Sequence, residues 1–104
     1  MLADTPLRLP VEPDYAESAW HLYTVRYPRR DELKAHLDAN GIGNAVHYPM
    51  PLHLQKAFAN LGHQSGNFTV AEKASREVLS LPMFAELADA QIQRVASVVR
   101  EFFA

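Results

Sequence analysis

Cysteine is absent from the 104-residue chain, and no apolar stretch is long enough to span a membrane. The lack of cysteine excludes disulfides, thiolate zinc sites and cysteine nucleophiles. Glycine is scarce, with four residues, and the closest pair lies in Gly41-Ile42-Gly43. That spacing is too short for a loop that binds phosphate or a dinucleotide. A G-x-S-x-G motif is also missing, so the sequence contains no hydrolase-type nucleophilic serine.

Clustered charge is lacking as well. The net charge is −2, and the ten lysines and arginines are scattered apart from the adjacent pair Arg29-Arg30. Because nucleic-acid binding requires a basic stripe or patch, we expect no nucleic-acid partner. The N-terminal residues contain no apolar signal-peptide core. We therefore expect a soluble, cytoplasmic protein that does not interact with membranes.

The composition that is present favours one globular domain. Hydrophobic residues make up 48% of the chain and charged residues 21%, which is typical of a folded domain of this length. Pro6, Pro10 and Pro13 discourage a helix within residues 1–16. We predict that this segment is an extended lead-in, either a frayed tail or a strap across the surface. The compact domain is predicted to cover residues 17–104.

Regular elements are predicted along the first half of that domain. Residues 20–27 (WHLYTVRY) are rich in aromatic and β-branched side chains, which favour a strand. Residues 30–40 follow a helical pattern with acidic residues in the first turn, and Gly41 provides a C-terminal stop. A second, short strand is predicted at about residues 44–48.

The second half is predicted to contain mostly helices. A short helix covers residues 52–61, and Thr69–Glu72 matches the capping box that begins another helix. A short strand is predicted at residues 79–81, followed by an amphipathic helix over residues 89–103. The whole order predicts an α+β fold, a two-layer α/β arrangement with a small three-stranded mixed sheet and about four helices.

The segment from His47 to His53 (HYPMPLH) is the best candidate for a binding site. Two imidazoles and a phenol lie on a loop stiffened by two prolines, and such groups suit sugar hydroxyls and phosphate oxygens. A metal site formed by His47, His53 and His63 is an alternative, although the spacing matches no standard pattern. A second alternative is structural, with Tyr48 packing on a neighbouring element and His53 beginning a helix. Spacing alone favours this structural interpretation.

Short motifs distributed along the chain are more specific than the spacing. In chain order they are WHLY (20–23), RDEL (30–33), GI (41–42), HYPMPLHLQ (47–55), AE (71–72), LSLPM (79–83) and QI (91–92). In this order and at these intervals they resemble the C-terminal small domain of the DegT/StrS sugar aminotransferases. The resemblance covers about residues 17–104.

The resemblance implies a specific chemistry for the full-length enzymes. Members of the family use pyridoxal phosphate to transfer an amino group, usually from glutamate, to a nucleotide-linked ketosugar. They work as dimers, and their large N-terminal domain holds the cofactor while the small domain covers the active site. By this resemblance, His47 and Tyr48 approach the sugar nucleotide. His53 belongs to the same motif and is expected either to bind substrate or to shape the loop.

The chain departs from the family in having no counterpart of the Schiff-base lysine. Its three lysines, Lys34, Lys56 and Lys73, lie on predicted helices, and 104 residues leave no room for the large domain. We expect no catalytic residue, cofactor site or metal ligand here, and no activity from the chain alone. The expected partners are a second copy or an aminotransferase large domain. The alternative is a repurposed, non-catalytic module that binds a sugar nucleotide or a protein.

Overall fold

Two short strands and three α-helices make up the regular structure, together with two 3₁₀ turns. The computed structural model describes all residues from 1 to 104. The elements are β1 (Tyr23–Arg26), α1 (Arg30–Ala39), 3₁₀ turns at Leu52–Leu54 and Lys56–Leu61, α2 (Thr69–Glu77), β2 (Val78–Leu81) and α3 (Asp89–Phe103). None of the helices combines the length and apolarity needed to cross a bilayer.

The sheet consists of β1 and β2 in antiparallel pairing. Thr24 lies opposite Ser80 in this register. One isolated bridge joins Arg8 to Arg26 and another joins Ala45 to Ser80, so a single residue flanks the sheet on each side. The α+β class predicted from the sequence is confirmed.

The third strand and the mixed sheet predicted from the sequence do not form. Residues 44–48 contribute only the bridge at Ala45, whose N–H and C=O both bond to Ser80. The chain then turns toward Pro49 and Pro51, which have no N–H to donate to a ladder. The first predicted strand is also shorter than expected, because Trp20 takes a positive φ of 48° and interrupts the extended chain.

The core lies between the sheet and helices α1 and α3. Leu33 and Leu37, one turn apart on α1, are completely buried, as the helical spacing predicts. The other completely buried large side chains are Val25, Leu79, Val98 and Val99. The predicted helix ends agree closely for α1 and α3, and Gly41 takes the left-handed conformation with φ +70°.

The lead-in segment lies across the core as a strap. Leu2 and Leu7 are buried in the same hydrophobic cluster as the helices. Arg100 of α3 donates hydrogen bonds to the Met1 carbonyl at 2.9 Å and to the carboxylate of Asp4 at 2.8 and 2.6 Å. Residues 1–9 therefore lie against the domain as a strap, whereas residues 11–16 are exposed apart from the half-buried Pro13.

Two local predictions in the middle of the chain are wrong. The helix predicted over residues 52–61 is instead two 3₁₀ turns, separated by Gln55 in an extended conformation. The predicted capping box also fails, because Thr69 is already inside α2 and its hydroxyl caps no amide. The carboxylate of Glu72 reaches back to the N–H of Gly66 instead.

Candidate functional site

His47 is held by a chain of hydroxyl groups on the sheet. Its Nδ1 lies 2.9 Å from Ser80 Oγ, and that oxygen lies 2.9 Å from Thr24 Oγ1. Thr24 and Ser80 are a direct cross-strand pair, and Ser80 is also bonded through its backbone to Ala45 at 2.7 and 3.1 Å. The sheet therefore fixes the serine, and the serine fixes the imidazole.

Tyr48 stands beside this imidazole and faces solvent. The two ring centroids are 5.4 Å apart with the planes at 81°, and 69% of Tyr48 is exposed. Both side chains border a shallow groove of about 240 Å³, which Pro51, Gln55 and Ser75 also line. The structure thus brings the first two residues of the HYPMPLH motif together at an open surface.

His53, the third candidate, is placed differently. Only 7% of its side chain is exposed, and its Nε2 lies 3.5 Å from Glu72 Oε1, which is longer than a well-formed hydrogen bond. Its ring packs on Phe68 with centroids 4.8 Å apart, and His63 packs on the same phenylalanine at 4.9 Å. His53 is therefore enclosed by the protein and does not face the groove.

Glu72 ties the loop that precedes α2 to the helix. Its two carboxylate oxygens accept the Gly66 N–H at 2.8 and 3.1 Å. This hydrogen bond lowers the pKa of Glu72 below its ordinary value, with smaller contributions from the Ser65 hydroxyl and from His53, and burial opposes the change. A carboxylate that accepts backbone N–H groups is stabilised in its charged form. Glu72 is thus an ionised anchor for the loop that precedes α2.

Comparison with known proteins identifies the family of the chain. A sequence model of the DegT/DnrJ/EryC1/StrS aminotransferase family matches residues 1–100. The chain belongs to this family. It is 50% identical over 94 residues to a pleiotropic regulatory protein of Geobacillus stearothermophilus, covering 90% of this chain. It is 46% identical over 102 residues to dTDP-3-amino-3,4,6-trideoxy-alpha-D-glucose transaminase of Streptomyces venezuelae, covering 97% of this chain.

Solved structures of the family share the fold. DesV of S. venezuelae, solved in complex with a ketimine intermediate, has a TM-score of 0.93 at 46% identity over 97% of this chain. A family aminotransferase of Brucella abortus has a TM-score of 0.85 at 36% identity over 92% of this chain. The chain spans about a quarter of the length of these relatives, with coverage from 25% to 28%.

The family depends on pyridoxal phosphate, and the lysines of this chain do not fit that cofactor. A Schiff-base lysine needs its amine held inside a site that also encloses the pyridine ring. Lys34 Nζ instead bonds Asp38 Oδ2 at 2.9 Å on the surface of α1, and Lys73 Nζ lies 4.0 Å from Glu77 Oε1 on α2. Lys56 begins a 3₁₀ turn and is exposed.

The histidines considered for a metal site do not converge. His47 faces Ser80, whereas His53 and His63 lie on the ring of Phe68. Nowhere in the chain do three histidine or carboxylate side chains group closely enough to hold a metal ion. The two imidazoles on Phe68 instead contribute to the packing of the loop.

Sequence reasoning missed the polar groups that position the motif. Ser80 lies inside the LSLPM motif and Thr24 inside the first predicted strand, so both segments were recognised. The contact between them depends on the register of two strands 56 residues apart in sequence, which no local pattern specifies. Glu72 was recognised only as a capping residue, although its actual partner is Gly66.

Proposed function

We propose that residues 1–104 form the small, substrate-covering domain of a cytoplasmic, pyridoxal-phosphate-dependent aminotransferase that acts on a nucleotide-linked ketosugar. The main support for this proposal is the similarity in sequence and fold to DesV, which is 46% identical with a TM-score of 0.93 over 97% of this chain. The relatives include transaminases named for dTDP-linked and UDP-linked sugars. The cofactor is held by a part of the enzyme outside these residues, and these residues alone are not catalytic.

His47 and Tyr48 are the residues proposed to contact the sugar nucleotide. Both lie at the open groove, and both carry groups that donate hydrogen bonds to phosphate and sugar oxygens. For His53 we propose a role in shaping the loop, because its side chain is buried between Glu72 and Phe68.

Exposed apolar side chains next to the groove indicate that a partner docks there. The segment 48–68 exposes several large hydrophobic side chains, namely Tyr48, Met50, Leu52, Leu54, Phe58, Leu61 and Phe68. A concentration of exposed apolar side chains in one segment is typical of an interaction site. We propose that the large domain of the aminotransferase covers this face in the working dimer. When that domain is missing, two copies of this chain cover it by self-association.

The proposed function is tested with a chimeric enzyme. Residues 1–104 replace the matching quarter of the S. venezuelae transaminase, and transamination of that enzyme's own sugar substrate is measured. We expect an active chimera in which His47→Ala raises KM about tenfold, the value of one hydrogen bond to a charged group. Tyr48→Phe raises KM by a smaller factor, because only the hydroxyl is lost.

Two control variants separate substrate contact from folding. His21→Ala removes an exposed histidine outside the HYPMPLH segment and should leave KM unchanged. His53→Ala should lower the unfolding midpoint while KM changes little. A chimera that folds and binds the cofactor but is inactive would contradict the proposal, as would an active chimera in which His47→Ala has no effect.

A second experiment tests whether the chain alone can bind the cofactor covalently. Purified chain is mixed with pyridoxal phosphate and reduced with borohydride, and its intact mass is measured. We expect no stoichiometric adduct, because the three lysines lie on open helical surface without an enclosing site. Stoichiometric labelling of one lysine would establish a cofactor site within these residues and overturn this part of the proposal.

A further inference from the structure

Three polar groups form a line from the sheet to the candidate site. Thr24 Oγ1, Ser80 Oγ and His47 Nδ1 are connected by two contacts of 2.9 Å each. Ser80 is buried, whereas Thr24 and His47 are partly exposed. The other ring nitrogen, His47 Nε2, has no hydrogen-bond partner in the chain and reaches solvent. The line therefore ends at one free imidazole nitrogen beside Tyr48.

Counting protons limits this line to two arrangements. Each hydroxyl has one proton to donate, and the only side-chain partner of the Thr24 hydroxyl is Ser80 Oγ. If Thr24 donates to Ser80 and Ser80 donates to His47 Nδ1, the proton left without an acceptor in the chain is Nε2–H. In the opposite direction it is the Thr24 proton, and Nε2 then presents only a lone pair. An oxygen that has no proton to donate can be bound at Nε2 by the first arrangement alone.

We propose that Ser80, backed by Thr24, is a positioning residue that holds His47 Nδ1 as an acceptor, so that the Nε2–H is the donor offered to the substrate. The position of the serine that contacts Nδ1 follows from the sheet register. The link to substrate rests on the proposed function, in which His47 meets the sugar nucleotide. The expected ligand atom is an anionic or carbonyl oxygen, since neutral imidazole with Nε2–H can only donate at that nitrogen.

A hydroxyl suits position 80 because it can accept from Thr24 and donate to His47 at the same time. An apolar residue at position 80 provides neither interaction, whereas threonine retains both.

The proposal is tested by observing the ring nitrogens of the histidines directly. Long-range ¹H–¹⁵N correlation spectra of the ¹⁵N-labelled 104-residue chain, recorded where histidine is neutral, distinguish protonated from unprotonated ring nitrogens. Two other histidines act as internal references. His36 is fixed as an Nε2–H donor by the Val98 carbonyl at 2.9 Å, and His21 is exposed without a hydrogen-bond partner and reports the free equilibrium.

We expect His47 to match His36 in the wild-type chain, with the proton on Nε2 alone. In Ser80→Ala and in Thr24→Val, His47 should shift toward the mixture shown by His21, while His36 stays unchanged and reports that the fold is intact. Ser80→Thr and Thr24→Ser should restore the wild-type spectrum. A wild-type His47 protonated on Nδ1, or one that matches His21, would overturn the proposal. So would a folded Ser80→Ala variant with an unchanged His47 spectrum.

The chimeric enzyme separates this inference from the proposed function. Ser80→Ala should raise KM by up to about tenfold. The KM of Thr24→Ser should stay close to the wild-type value. If the spectra agree with the expectation but His47→Ala has no effect on the chimera, the positioning holds and the substrate role of His47 fails. If the chimera depends on His47 but the spectra disagree, the proposed function stands and Ser80 does not set the tautomer.

Discussion

At the scale of single residues, Glu72 shows how one carboxylate fixes a loop. It accepts the Gly66 N–H with both oxygens and lies 3.5 Å from His53. Its pKa lies below its ordinary value, chiefly because of that backbone hydrogen bond. A group whose pKa is lowered in the folded state stabilises the fold above its ordinary pKa. It loses that contribution as the pH falls through the lowered folded pKa.

This gives a prediction for Glu72→Gln. The variant should be less stable than wild type at pH 7, because the charged acceptor of Gly66 is lost. The difference should shrink as the pH drops below about 4.3, the ordinary value for glutamate, since the wild-type carboxylate is then protonated as well. Urea unfolding of both proteins across this range measures the difference.

The control for this prediction is Glu101→Gln. Glu101 is exposed and makes no ion pair in the structure, so its substitution should have little effect at either pH. A stability deficit of Glu72→Gln that stays constant between pH 7 and pH 3 would show that the charge of Glu72 is not the source of its effect.

At the scale of elements, Arg30 connects three of them. It lies at the start of α1 and is buried, and its guanidinium donates to the carbonyl of Val78 at 2.8 Å and to that of Ser75 at 3.3 Å. These carbonyls lie at the end of α2 and the beginning of β2, where helix carbonyls otherwise have no partner. One side chain thus joins α1 to the junction that leads into Ser80.

We predict that Arg30→Met destabilises the protein by about 1–3 kcal/mol, the range for leaving buried polar groups unpaired. Chemical denaturation with a constant m-value measures the change. The adjacent Arg29→Met is the matched control, because Arg29 is exposed and pairs only with Glu32. A surface pair of this kind contributes little. Equal effects from the two variants would contradict the role assigned to Arg30.

At the scale of the whole molecule, the chain has a buried core and, on segment 48–68, an apolar face without cover. Leu33 is completely buried in the core, whereas Leu52 and Leu61 are more than half exposed on the 48–68 segment. The core accounts for the stability of the fold. The exposed face is available to a partner, and it borders the groove at His47 and Tyr48.

We predict that the isolated chain self-associates through this face. Sedimentation velocity should show concentration-dependent association of the wild type, and the double variant Leu52→Glu/Leu61→Glu should remain monomeric with an unchanged unfolding midpoint. Val11→Glu is the control, since Val11 is exposed on the lead-in segment. A wild type that is monomeric at every concentration would contradict the prediction, as would association that the double variant does not reduce.

The sequence by itself determined the helices with strong periodicity and the family. The apolar pattern of α3 and the acidic first turn of α1 are local signals, and the structure has both helices where they were predicted. The motifs HYPMPLHLQ and LSLPM are likewise local, and they led to the aminotransferase family that the comparisons show.

The tertiary structure decided which polar side chains meet. Whether Ser80 faces His47 depends on the pairing of β1 with β2, and a shift of one residue would turn the serine to the other face of the sheet. Whether His53 meets solvent or Glu72 depends on how the 3₁₀ turns pack on α2. Such contacts join residues distant in sequence, so the local pattern selects the elements and only their packing selects the partners.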